Sequence, residues 1–313
     1  MLLSVCSITG YAFTRLNAEH EHYLTVNANL GYSSLFNSIN KQPSSPGLDT
    51  ELGVGYRIFH NDFVFATSLG FAYNLYSSEQ RMVDTNIDML DTEGDPFKMH
   101  VFVNQGKDLA HALNLTLPIL VGGEWGRLYF LAGPKLSYTI YGVTSAKAMC
   151  TTSGIYERYY DDFYNMPNHQ FESEQEIRNE GNGKLKWNVN VMVHAEIGWN
   201  INTHISNRTY QSEPMKRTWF ASLYMDYGLL NINSVSQDAN DVFYYRQTDE
   251  GVKYFMTPLL LSKKAYDASF NNFNIGIKFT VLFQLPVEPK RYIYDGSKNT
   301  HIWKRGGTQA IKN

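Results

Sequence analysis

From Phe273 to Phe283 the chain places a large apolar residue at every second position (Phe273, Ile275, Ile277, Phe279, Val281, Phe283), with Asn274, Gly276, Lys278, Thr280 and Leu282 between them. Strict alternation over this length predicts one extended strand with an oily face and an opposite polar or crowded face. The same signature recurs and predicts eight strands: Tyr23–Tyr32, Leu48–Phe59, Phe63–Ser77, Ala110–Val121, Leu128–Tyr141, Leu185–Trp199, Thr218–Leu230 and Phe273–Leu285. In the second, Leu48, Leu52, Val54, Tyr56 and Ile58 share the oily face and Asp49, Glu51, Gly53, Gly55 and Arg57 the other. In the sixth, Trp187, Val189, Val191, Val193, Ala195, Ile197 and Trp199 share one face.

The connections after the second and fourth strands span only a few residues, while those after the first, third, fifth and seventh are long. This rhythm predicts an all-β chain: a transmembrane antiparallel up-and-down β-barrel of eight strands, with tight turns on one side and long extracellular loops on the other. The segment Asp241–Met256 reads as a hairpin around Glu250-Gly251, which extends the wall above the membrane or adds a ninth and tenth strand. Trp187 and Trp199 are separated by roughly 40 Å of strand, or roughly 30 Å along the membrane normal at a tilt of about 40°. That separation suits two aromatic belts, with Trp199, Trp219, Tyr23, Trp125 and Tyr129 at one interface and Tyr32, Tyr73, Tyr138, Trp187 and Tyr227 at the other.

Composition agrees with this reading. Twenty-two Tyr, 18 Phe and 5 Trp stand against 10 Pro, a bias toward strands and interfaces, while a mean hydropathy of −0.34 hides the oily face by averaging it with the polar one. A net charge of −3 gives no electrostatic reason to expect nucleic acid. The start, residues 1–12, reads as an export signal, with small Gly10 and Ala12 favouring a cut before Phe13, although no basic residue precedes the apolar run. The barrel is then expected over residues 13–285, and residues 286–313, with six Lys or Arg, form a basic tail. A solvated, disordered tail on the periplasmic side is the expectation, with docking to an envelope partner as the alternative.

The segments Leu113–Gly122 (LNLTLPILVG), Tyr129–Tyr138 (YFLAGPKLSY), Tyr224–Ile232 (YMDYGLLNI) and Phe273–Phe283 (FNIGIKFTVLF) resemble the outer-membrane β-barrel proteins of the Bacteroidota, the porin-like group that includes the PorT-like barrels. The resemblance covers the barrel and not its long loops. It implies an outer-membrane location with both termini periplasmic, contact with outer-membrane lipid and lipopolysaccharide, and insertion by the barrel assembly machinery reading an aromatic-ended last strand, here Phe283. It carries no catalytic signature.

Inward-facing positions of the predicted strands hold Asp49, Glu51, Arg57, Lys135, Lys186, His194, Glu196, Asp226 and Lys278. With histidine neutral the acids and bases balance, and a balanced set in a narrow lumen reads as a structural ion-pair network. A channel is the alternative. If Trp199 pairs with Trp219, Ser222 and His194 become diagonal neighbours roughly 7–8 Å apart beside Glu196. That is the composition of an activated nucleophile, the basis of an alternative reading as an acyl-ester lipid hydrolase. The leading expectation is non-enzymatic: a structural, binding or assembly component acting through its loops and tail. In the loop Gly154–Met166, Tyr156, Tyr159, Tyr160, Phe163 and Tyr164 are candidate binding residues, or else pack the loops into a cap. No motif for a cofactor or a metal is present, so none is expected.

Overall fold

The computed structural model describes residues 21–37, 46–60, 62–80, 83–91, 94–156, 161–163, 171–181, 183–185, 189–201, 217–232, 239–248, 251–265, 268–285, 292–294 and 301–303. In chain order its strands are β1 (Glu21–Asn37), β2 (Leu48–His60), β3 (Phe63–Gln80), β4 (Val83–Leu90), β5 (Pro96–Trp125), β6 (Leu128–Tyr156), β7 (Asp161–Phe163), β8 (Gln175–Arg178), β9 (Gly183–Lys184), β10 (Val189–Asn200), β11 (Arg217–Gly228), β12 (Phe243–Thr248), β13 (Gly251–Met256), β14 (Phe270–Gln284), β15 (Tyr292–Tyr294) and β16 (His301–Trp303).

Eight of these close on themselves in the order β1-β2-β3-β5-β6-β10-β11-β14, and every pairing, including β14 back to β1, is antiparallel. Closure removes the free edges that an open sheet would expose to lipid. The β5–β6 turn shows the local chemistry: Trp125 pairs with Leu128 across Gly126 and Arg127, and Gly126 takes φ +65°, a conformation that a two-residue hairpin requires and glycine adopts without strain.

The outer face is oily and bare. Leu52 is 69% exposed, Val54 62% and Leu223 60%, and Leu30, Phe71, Ile277 and Phe279 lie at comparable positions on neighbouring strands. A continuous apolar girdle of this extent is stable in hydrocarbon and not in water, so the chain is a transmembrane barrel. On β11 the exposed Trp219 and Tyr227 are eight residues apart, about 27 Å of strand and about 20 Å of height at a tilt of about 40°. Trp199 and Trp125 are exposed near the turn end, and Tyr73, Tyr138 and Tyr141 near the loop end. Tyr23 and Tyr129, expected in the turn-end belt, instead point inward and are 2% and 1% exposed. Trp187 lies outside the described residues.

Five of the barrel strands, β1, β3, β5, β6 and β14, overrun their expected limits at the loop end, while β11 stops short at Gly228. β5 begins at Pro96 and not at Ala110; β6 runs on to Tyr156 and not to Tyr141. Two bulges make this possible. Tyr141 pairs with Leu113 and Thr139 with Asn114, leaving Ile140 as an extra residue, and Asn104 is extra on β5. Each bulge reverses which alternate residues face inward. On β6 the inward set changes from Leu131, Lys135 and Ser137 to Thr144, Ala146, Ala148 and Cys150; on β5 it changes from Ala112 and Ala110 to Val103, Val101, Met99 and Phe97.

Against this raised wall β4 pairs with β5, and β7, β8 and β9 pair with β6. The hairpin β12–β13 forms a separate two-stranded sheet and adds no ninth or tenth barrel strand. Its Phe243 and Met256, with Leu259, Leu260 and Ala265 from two short 3-10 turns, pack against Met99, Val101, Val103 and Cys150 to form one apolar core above the barrel. The tail, expected to be disordered, includes a short hairpin of β15 and β16.

Candidate functional site

The lumen is filled in three layers. At the turn end, Tyr23, Phe59, Val64, Ala66, Leu120, Tyr129, Leu131, Phe220 and Leu282 form an apolar plug. The rings of Tyr129 and Phe220 meet edge to face at 5.1 Å, and the Arg57 guanidinium lies over both, 4.9 Å and 5.7 Å from their centroids.

Above the plug lies the charged layer. Asp49, Glu51, Arg57, Lys135, His194, Glu196, Asp226 and Lys278 all face inward and are buried; Lys186 lies outside the described residues. Arg57 Nη2 reaches Glu196 Oε1 at 3.4 Å, and Lys278 Nζ donates to Glu196 Oε2 at 2.6 Å. His194 stands between two carboxylates, with Nε2 3.3 Å from Glu196 Oε2 and Nδ1 bonded to Asp226. Lys135 then bridges Asp226 at 2.8 Å and Glu51 at 2.7 Å, and Thr116 donates to the other oxygen of Glu51 at 3.0 Å.

A second run is joined to the first by the stacked rings of His194 and Tyr224. Tyr224 donates to Asp49, which also accepts from Asn74 at 2.5 Å; Asn114 donates to Asn74, and Thr139 to Asn114, each at 2.7 Å. The two runs link β2, β3, β5, β6, β10, β11 and β14 across as many as 175 residues of sequence. An imidazole between two carboxylates satisfies both only by donating from both nitrogens, as imidazolium. With His194 so charged, four cations face four carboxylates within this layer. Such a set holds the strands in one register, since an unmatched charge at this depth is costly. Gly70 makes room for it: a Cβ there would stand 2.7 Å from Glu51 Oε1 and 2.8 Å from Thr116 Oγ1.

The expected nucleophile is not assembled. Trp199 pairs with Ala221 and not with Trp219, a shift of two residues that preserves faces while changing neighbours. Glu196 therefore lies opposite Tyr224, His194 opposite Asp226, and Ser222 opposite Gly198. Ser222 is thus four residues along the strand from His194's level, about 13 Å away, and its hydroxyl donates to the Lys278 carbonyl at 3.3 Å. Among the described residues no group of three or more His, Cys, Asp and Glu is placed to hold a metal ion.

At the loop end the apolar cap closes over the charged layer. Of the five aromatic residues expected to bind, Tyr156 and Phe163 are described, and both pack into the cap. Tyr156 stacks on Phe97 at 5.0 Å and meets Phe163 edge to face at 5.5 Å. Tyr159, Tyr160 and Tyr164 lie outside the described residues. Cys150 is fully buried in the cap, and burial pushes its thiol up to about 12. Sequence reasoning missed the cap core because its inward residues lie beyond the bulges. The continued alternation of Phe97, Met99, Val101 and Val103 is the signal that could have found it.

No family model matches the chain, and no curated protein matches it. Among solved structures, it is similar to Ail, the attachment invasion locus protein of Yersinia pestis in complex with the heparin analogue sucrose octasulfate. That match is 9% identical, covers 84% of this chain and 99% of Ail, and has a TM-score of 0.20. It is also similar to a Pseudomonas aeruginosa FadL homologue at 8% identity, covering 85% of this chain and 91% of that one, with a TM-score of 0.14. The fold assignment rests on the closed pairing of the eight strands themselves.

Proposed function

We propose that this chain is a non-enzymatic outer-membrane protein of the Bacteroidota barrel type, in which a locked barrel holds a folded cap outside the cell for binding. The observation that carries this reading is the uninterrupted passage of β5 and β6 past the aromatic belt into a cap with its own apolar core. Mobile loops would serve a pore whose lumen must open. A cap continuous with the barrel wall is suited to presenting a fixed surface, because its orientation is set by strand hydrogen bonds. Glu21 of β1 and Gln284 of β14 lie at the end with the tight turns, which supports reading that end as periplasmic, with the basic tail available there to an envelope partner.

The test is the sidedness of two epitopes. Gly94 and Gly181 stand at turns where a Cβ would meet nothing within 4 Å, so an epitope inserted beside either is expected to project clear of the cap. Antibody on intact cells is expected to label an epitope at Gly94 or Gly181, and to label one at the C-terminus only after the outer membrane is permeabilised. The opposite pattern overturns the orientation and the function built on it.

A further inference from the structure

We propose that a small cavity beside Arg57, on the turn-end side of the charged layer, binds one monatomic anion of the halide class, with chloride as its occupant. The side chains of Thr25, Asn27, Arg57, Ser68, Lys278 and Thr280 line it. The sequence leaves room here for a definite reason. Arg57 pairs across the sheet with Ala66, whose side chain is a single methyl group. The β3–β5 ladder runs through Thr67–Ile119 and Gly70–Thr116 but skips Ser68 and Leu69, which stand opposite Pro118 and Leu117. Proline has no N–H to give that ladder, and short Ser68 faces inward at the break.

Donors meet here without acceptors of their own. Arg57 is 3% exposed and gives Nη2 to Glu196, while its Nε and Nη1 reach no acceptor among the described residues. The Thr280 hydroxyl is likewise buried and unpartnered, and so is the side-chain oxygen of Asn27, directly opposite Thr280 on β1. A hydroxyl rotates to donate, and an amide turned about its last bond presents N–H in place of oxygen. Guanidinium N–H groups left bare at this depth cost more than neutral ones, so a charged acceptor gains most here.

Charge decides between an anion and a water. Of the four carboxylates in the layer, Asp49 is held by the neutral donors Tyr224 and Asn74. The four cations then divide three carboxylates. Lys135 takes Glu51 and Asp226, His194 takes Asp226 and Glu196, and Arg57 and Lys278 share Glu196. The cation in excess therefore sits at this cavity, which among the described residues no carboxylate lines. Toward the turn end the next inward carboxylates, Glu21 and Glu124, lie four residues along their strands from Thr25 and Leu120, about 13 Å away. A water would leave the excess in place, whereas an anion beside Arg57 and Lys278 offsets it where the surroundings are dry. The cavity has room for a single small particle, which excludes a carboxylate or phosphate ester and leaves a monatomic ion.

The experiment follows urea unfolding of the full-length protein in lipid vesicles while sodium chloride replaces sodium gluconate, whose anion is too large for the cavity, at fixed ionic strength. An ion bound only by the folded state is expected to raise the folding equilibrium constant about tenfold for each tenfold rise in chloride above its dissociation constant, from about 3 to about 300 mM. Bromide is expected to act as chloride does. Arg57→Met is expected to abolish the response, and Thr280→Val, which removes one donor at nearly constant volume, to move it to about tenfold higher chloride. Lys253→Gln/Lys263→Gln, at exposed cap positions, is expected to leave it unchanged. Crystals grown in bromide are expected to show an anomalous peak at hydrogen-bond distance from Arg57 Nε or Nη1. No chloride dependence in the unaltered protein, an undiminished response in both Arg57→Met and Thr280→Val, or density without anomalous signal overturns the proposal and makes the occupant a water. Heat-modifiable mobility of every variant on gels reports the barrel separately; its absence in the unaltered protein overturns the membrane reading instead.

Discussion

Replacing Lys135 with methionine tests whether the lumen is a dry, charge-matched core. The Lys135 ammonium is the one cation that bridges Asp226 and Glu51, at 2.8 and 2.7 Å, and all three side chains are at most 3% exposed. Arg57 and Lys278 both pair with Glu196, nearer the plug, so neither replaces it without leaving that carboxylate. A methionine side chain fills a similar volume, so Lys135→Met isolates the lost charge from a packing defect. Removing one partner of a buried pair costs about 3–5 kcal/mol, because the remaining charges stay buried. At about 2 kcal/mol per molar urea, the unfolding midpoint in lipid vesicles is expected to fall by about 2 M. Adding Glu51→Gln removes the carboxylate that Lys135 held, while Asp226 keeps His194, so the charges balance again and part of the loss is expected to be recovered. A loss under about 1 kcal/mol, the value typical of solvated pairs, would refute the reasoning and mean that water fills the lumen.

Four other outcomes follow from the same geometry. Phe97→Ala, which removes a ring packed on both Tyr156 and Phe171, is expected to cost the cap about 3–5 kcal/mol and open it to protease while the barrel keeps its heat-modifiable mobility. Cys150 is expected to resist maleimide at neutral pH in the folded protein, because burial holds the thiol protonated and out of reach, and to react within minutes once denaturant opens the cap. Gly70→Val should push Glu51 away from Lys135 and lower stability by about 1–3 kcal/mol in the same urea assay. Planar bilayers containing the unaltered protein are expected to show no steady conductance, since apolar side chains close the turn end; stable ohmic steps would contradict the plug.

Much of the barrel was legible because alternation reports burial directly. β2 and β3 begin at the expected Leu48 and Phe63, and the described ionisable residues read as inward, from Asp49 and Glu51 to Lys278, are buried. The failures have physical causes. Alternation fixes the face of a strand but is blind to even-numbered shifts, so nothing local distinguished Trp199 opposite Trp219 from Trp199 opposite Ala221. Sixteen residues separate β10 from β11, against the two that link β5 to β6, so the length of the connection does not set the register. The raised wall was missed for another reason: bulges at Ile140 and Asn104 reverse the phase, so a strand traced by uninterrupted alternation stops there. Tyr23 and Tyr129 were misplaced because an aromatic near a strand end suits a belt or a plug equally; their parity opposite to that of outward Leu24 and Leu128 decides for the plug.

The layering argues that rigidity is what the lumen is for. An apolar core alone would tolerate sliding of neighbouring strands by two residues, since each face would stay oily or polar as before. The charge layer does not tolerate it. A two-residue slip of β11 against β10 would move Asp226 away from both His194 and Lys135 and leave three charged groups mismatched at once. Apolar layers at both ends keep water from softening that penalty, because pairing matters more where the surroundings are dry. β6 carries Lys135 within the network and, ten and more residues beyond its bulge at Ile140, carries Cys150 and Tyr156 in the cap. The register that the charges impose on the barrel is therefore passed along the same strand to the cap. A cap grafted on an uncharged lumen would inherit no such alignment.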